Sequence, residues 1–135
     1  VVDVFIPERN FGEFFHWYAG SFDFWPLWIV PYRMPEPYPW IAPAWRDQIG
    51  EFVIDCAVYG KPNRDPGVDW SEVMERKVFE LGGIKTLISR NHYDPETFWT
   101  IYDEPAWKAV KARTDPHNLF GQLYEKMHPT EGGRP

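Results

Sequence analysis

Cysteine is nearly missing from this 135-residue chain: Cys56 stands alone, so no internal disulfide can form and a stapled secreted scaffold is excluded. Basic charge is scarce as well. Fourteen Lys and Arg face 20 Asp and Glu, for a net charge of −6. A general nucleic-acid binder needs a basic footprint against phosphates, and the sequence has none. No apolar run reaches the roughly 20 residues of a membrane helix, because prolines and charges break each candidate. There is no G-x-G-x-x-G, no P-loop and no nucleophile elbow. The four histidines, His16, His92, His117 and His128, are scattered without metal-ligand spacing, so no metal site is expected. The sequence opens Val1-Val2-Asp3, with neither an initiator Met nor a signal peptide, and is read as a piece of a longer protein.

What the chain does have is rings. Eight Trp, 7 Tyr and 10 Phe make 19% of the residues. Rings in that number require burial in a core, against a flat ligand or against another domain. Proline and glycine are also abundant, at 14 and 10. Hydrophobic residues at 44% and charged residues at 25% are ordinary for a soluble globular domain, and the length suits a single one.

The pattern of residues predicts an order of elements. Val1 to Ile6 reads as a strand ending at Pro7. Asn10 caps a helix carrying Phe11, Phe14, Phe15 and Tyr18 at three- and four-residue steps, and Gly20 ends it. Phe24 to Tyr32 is a second strand, an edge strand by its Pro26 and Pro31. Met34 to Pro43 holds four prolines and reads as an extended loop. Glu51 to Tyr59 is the third strand. Phe52, Ile54, Cys56 and Val58 face one way, and Val53, Asp55, Ala57 and Tyr59 the other. Asp69 with Glu72 forms a capping box for a helix whose apolar stripe is Trp70, Val73, Met74, Val78 and Leu81. Ile84 to Ile88 is the fourth strand. Three Asp-Pro or Glu-Pro steps, at Asp94, Glu104 and Asp115, then open helices reaching Tyr102, Arg113 and Met127. The expected fold is α+β: a ferredoxin-like βαββαβ antiparallel sheet, helices on one face, and a C-terminal helical tail. Residues 1–127 form the domain and 128–135 a flexible tail.

Three features carry chemistry. Ser89 to Asp94 is a polar segment at a strand end, where side chains are often displayed toward a ligand. It sets Arg90, Asn91, His92 and Tyr93 in succession. As an alternative it is only a turn that starts a helix. Second, Phe22 to Trp28, with Trp40 and Trp45 beyond, supplies core rings or an apolar wall for a flat substrate. Third, Val110 to Phe120 is a helix ended by a turn, with Asp115 capping the next helix and Leu119 and Phe120 tucked into the core. Cys56, in an apolar strand, reads as a buried small hydrophobe and not a nucleophile.

The third feature resembles the K-x-x-x-D-P-x-N-x-F signature found near the C-terminus of FAD-linked oxidoreductases of the vanillyl-alcohol-oxidase type. With Phe24-Trp25-Pro26-Leu27-Trp28, Phe52 to Gly60, Phe98-Trp99, Tyr102-Asp103 and Leu123-Tyr124-Glu125-Lys126, the chain resembles the C-terminal part of the delta-24-sterol reductase (diminuto) family. The likeness runs in order from about Phe22 to Met127. It implies that FAD is held mainly by an N-terminal lobe of the same protein, the chief partner of this chain. This part caps the flavin and forms much of the substrate pocket. The family reduces an isolated side-chain double bond of a sterol, with NADPH as electron donor, whereas relatives in the wider superfamily oxidise alcohols, so the direction of the redox step stays open. Where such reductases carry Asp-Cys-Tyr, this chain has Arg90-Asn91-His92, with Tyr93 next.

On this reading His92 and Tyr93 are the candidate catalytic groups, moving a proton beside a flavin that moves hydride. Arg90, Asn91 and Asn118 are assigned to the cofactor. Trp25, Trp28 and Tyr59 line an apolar substrate pocket. A cytoplasmic location is expected, with any membrane association supplied by sequence outside this chain. The competing reading is a free-standing ferredoxin-like domain that binds an apolar ligand or a protein partner through its rings.

Overall fold

A computed structural model describes residues 2–128; the expected tail beyond His128 lies outside the described residues. Among the described residues the fold is α+β, an open four-stranded antiparallel sheet with six α-helices. Strands β1 (Val2–Pro7), β2 (Trp28–Arg33), β3 (Phe52–Val58) and β4 (Ile84–Lys85) lie in the order β2-β3-β1-β4. Val4 stands opposite Cys56 and Lys85, and Val30 opposite Asp55. Helix α1 (Phe11–Trp17) links β1 to β2, and α3 (Trp70–Glu80) links β3 to β4. Helix α2 (Pro43–Ile49) sits between β2 and β3, which therefore form no tight hairpin. With that insertion and a two-residue β4, the simple ferredoxin-like plan is not reproduced in full.

The period-two alternation of the strands divides the core. Val4, Ile6, Cys56 and Val58 pack with Phe14, Tyr18, Met74, Val78 and Leu81 under α1 and α3. Phe5, Val53 and Ile84 pack on the opposite side with Trp45 and Ile49 of α2, and with Phe98 and Ile101 of α4 (Pro95–Ile101). Helices thus cover both faces, which corrects the expectation of one. The cause is α2, a helix hidden behind the proline loop: Pro43 is its first residue, where a missing N–H is harmless. Trp45 donates its indole N–H to Gly83 O at 3.1 Å. A Cβ on Gly83 would stand 2.6 Å from Phe5 O, so only glycine allows the chain to pass there.

Other boundaries shift for local reasons. Asn10 precedes α1 but spends its side chain on Leu81 O at 2.8 Å, and the chain runs past Gly20 through a π-turn at Tyr18–Phe22. Asp69 caps α3 through Ser71 N, while Glu72 pairs with Arg76 rather than closing a capping box. Asp94 caps α4 through Thr97 N, and Asp103 caps α5 (Glu104–Thr114) through Ala106 N. Asp115 starts no helix. Its carboxylate, paired with Lys111, accepts from Leu119 N and Phe120 N and so holds a turn, and α6 spans only Leu123–Met127. Leu119 and Phe120 are consequently exposed and not in the core.

Candidate functional site

The strand-end segment is tied down by a buried ion pair that the sequence reading did not single out. Lys85 points from β4 toward α3, on the Val4 side of the sheet, and meets the carboxylate of Glu75; both are fully buried. Lys85 also donates to Arg90 O. Glu75 accepts from His92 N at 2.7 Å through its side chain, and from the Tyr93 hydroxyl at 3.0 Å through its carbonyl. Asn91 N reaches Met127 O, and the Tyr124 hydroxyl reaches Tyr93 O. Burial pushes the Lys85 ammonium below its usual range, against the opposing pull of Glu75. Two clues were available: a lysine inside the apolar run Ile84 to Ile88, and a glutamate beside Met74 and three residues before Val78 in α3. Pairing them required the register of β4, which the sequence does not show.

Each predicted residue of the turn has a definite place. Tyr93 is 7% exposed, and burial raises its phenol pKa far above the usual value. With its hydroxyl committed to Glu75 O, it belongs to the core. Asn91 is wholly buried. Arg90 is exposed and holds Asp69 Oδ2 at 2.7 Å. His92 is half-buried; its Nε2 has no hydrogen-bond partner and lies 4.0 Å from Asp69 Oδ2. Burial lowers its pKa first of all, and Glu75 and Asp69 work the other way. Of the turn, His92 alone keeps a titratable ring atom uncommitted.

The other predicted residues lie apart. Asn118 sits in the left-handed region at φ 51° and accepts from Gln122. Trp25 bonds Asp23 and stands edge-on to Tyr18, while Trp28 and Tyr59 are 61% and 63% exposed. Cys56 is fully buried, and burial pushes its thiol up to about 12.

The apolar cavity lies elsewhere, on the face of Phe5. Trp40, Trp99, Trp107, Leu87, Val110 and Leu123 wall a space of about 470 Å³, joined by Thr86, Tyr102 and Asp103. None of Trp25, Trp28 or Tyr59 lines it. Rings of α4 and α5 supply the wall because Trp99 and Trp107 meet at 5.7 Å between centroids. Farther along the same sheet face, Asp3 and Asp55 are diagonal neighbours, each with one buried, unpartnered oxygen. Burial, and then Asp3, raise the Asp55 pKa.

A flavin pyrophosphate needs free N–H donors or free cations. Here Arg90 is held by Asp69 and Lys85 by Glu75. Lys61 stands 3.7 Å from the Trp70 ring centroid and donates to Phe22 O. Asp69 fills the N-terminus of α3. The cations nearest the strand-end turn are therefore already engaged.

The chain is similar to Delta(24)-sterol reductase of Homo sapiens, at 20% identity over 129 residues covering 94% of this chain and 25% of that protein. The proteins of the same name from Rattus norvegicus and Mus musculus match at 19% over the same shares. No family model matches. No solved structure matches. The chain spans about a quarter of the length of the curated relatives it matches, and its relation to these sterol reductases is distant.

Proposed function

We propose that this chain is the substrate-binding cap of an FAD-dependent oxidoreductase that reduces a C=C bond of an apolar, sterol-like substrate. The observation that carries the reading is the alignment to Delta(24)-sterol reductases, which runs over 94% of the chain. A cavity walled by tryptophans gives such a substrate a place. FAD would be held by another lobe of the same protein, since the cations around the strand-end turn are already paired here. The Asn118 and Arg90 assignments to the cofactor remain proposals for the assembled enzyme. So does His92 as a proton-moving group, and NADPH is the proposed electron donor. Any membrane association would come from outside these residues: among those described, no helix is long and apolar enough to cross a membrane.

The test uses the full-length protein. It is expected to retain FAD through gel filtration and to consume NADPH while saturating a sterol side-chain double bond, read by mass spectrometry. Full-length protein that holds no flavin and leaves the double bond intact would overturn the proposal. The second reading, a binding domain without catalysis, draws on the exposed rings Trp28, Tyr59 and Phe120. It predicts ligand or partner binding with no flavin at all.

A further inference from the structure

A second cavity lies beside the tryptophan-walled one, and two residues belong to both. The first space, of about 470 Å³, and its neighbour, of about 250 Å³, share Phe5 and Trp40. Phe5 comes from β1, and Trp40 from the proline loop before α2. The Trp40 indole stacks on Tyr102, which lines the first cavity and not the second, at 6.3 Å between centroids and 23° between planes. It also stacks on Tyr38, which lines the second and not the first, at 6.0 Å and 21°. One ring from each cavity therefore braces the same indole. The backbone beneath it is pinned as well. Trp40 O accepts from Asp103 N at 2.9 Å, and Ile41 pairs with Tyr102 in an isolated β-bridge. Pro37 and Pro39, on either side of Tyr38, stiffen the approach. The first space falls within the roughly 300–1,000 Å³ of small-molecule sites, and the second alone falls short of it. The second therefore matters to a ligand chiefly as an extension of the first, and Trp40 stands at the seam.

We propose that Trp40 is a specificity-determining residue: its ring closes one end of the first cavity against the second, and so limits the length of apolar ligand that is buried there. The inference deepens the proposed function, and it rests on that reading only for the ligand being the apolar substrate. Apolar length beyond the partition stays in solvent and adds nothing to binding. Without the indole the two spaces run together over Phe5, lined further on by Met34, Ile49 and Val53.

The test uses three rigid apolar rods that differ only in length: stilbene, diphenylbutadiene and diphenylhexatriene. Each is titrated into full-length protein and followed by the rise of its own fluorescence on leaving water, with folding checked by circular dichroism. Each further buried carbon is worth roughly fourfold in affinity. In the parent protein the added length should gain nothing, so the three midpoints should agree within about threefold. In Trp40→Ala, diphenylhexatriene should bind more tightly than stilbene by about tenfold or more, because the added carbons enter the second cavity. Met34→Trp, which refills that cavity, should cancel the gain in the Trp40→Ala background. A parent protein that already gains about tenfold with length would overturn the proposal. So would a Trp40→Ala variant that keeps the parent ratio, or a gain that survives Met34→Trp. Trp40 is exposed and lies outside any helix or strand, so the variant is expected to fold. If it does not, Trp40→Leu, which also removes the ring, gives the same comparison. No readout here depends on flavin or turnover, so failure is distinguishable from failure of the oxidoreductase reading.

Discussion

On one face of the sheet, Val4, Ile6, Cys56 and Val58 meet Phe14, Tyr18 and Val78 in close contact; on the other, Phe5 looks into a cavity walled by tryptophans. Both faces are built from the same strands, with residues alternating between them. The first face also buries the Glu75–Lys85 pair, while the second carries the unpartnered Asp3 and Asp55 oxygens. The contrast separates structural burial from binding capacity. Rings that touch other rings on all sides hold the fold, and rings lining open volume are free to hold something else.

The sharpest way to break the contrast is to remove one partner of the buried pair. Lys85→Met leaves Glu75 charged and unpaired, and should lower urea-unfolding stability by about 3–5 kcal/mol. Adding Glu75→Leu should recover most of that loss; a double variant as unstable as the single would mean that the pair matters only through its links to Arg90 O and His92 N. Next comes Phe14→Ala, with an expected loss of about 3–5 kcal/mol from a fully buried ring. Trp107→Ala, on the cavity wall and half-buried, should lose about 1–2 kcal/mol. Equal losses at Phe14 and Trp107 would show that the cavity wall is packed as tightly as the core.

A smaller effect, with a sign that depends on pH, is expected at Asp55. Its pKa is raised in the folded state, so the native protein holds this proton more tightly than the unfolded chain does. Stability from this group is present at low pH and is lost as pH rises through the folded pKa. Asp55→Asn should therefore raise Tm at pH 7, with the gain shrinking as the buffer is acidified. A Tm difference that is flat with pH would sink this account. The smallest effect is expected at Trp28→Ala, within about 0.5 kcal/mol, because the ring is mostly in solvent.

Much of the framework was legible. Short β-branched composition marked β1, alternation marked β3, and the Asp-Pro and Glu-Pro steps at Asp94 and Glu104 marked α4 and α5, because those signals act within a few residues. Helix α2 was not legible, since the prolines that argue for a loop before Pro43 also supply its first residue. The length of β4 was hidden for another reason. Ile84 to Ile88 has strand composition, but Lys85 turns inward to Glu75, and only the first two residues pair. At the strand end, the polar turn was visible while its orientation was not. Tyr93 and Asn91 face the core because Glu75 and Met127, distant in sequence, accept their donors. The cavity drew on Trp40, Trp99 and Trp107, and the sequence reading placed its pocket at Trp25, Trp28 and Tyr59 instead. Exposed and buried rings look alike in composition; only packing separates them.

The two outer strands bear on how this molecule meets copies of itself. Strand β2 carries Pro31, which has no N–H to offer a neighbour, and ends in Arg33 paired to Glu51. Strand β4, at the opposite border, is two residues long. Neither border presents a long, unbroken row of donors and acceptors on which another chain could lengthen the sheet. Self-assembly through backbone ladders is thus discouraged at both ends, and a crowded solution should bring these molecules together side chain to side chain, without fibre growth.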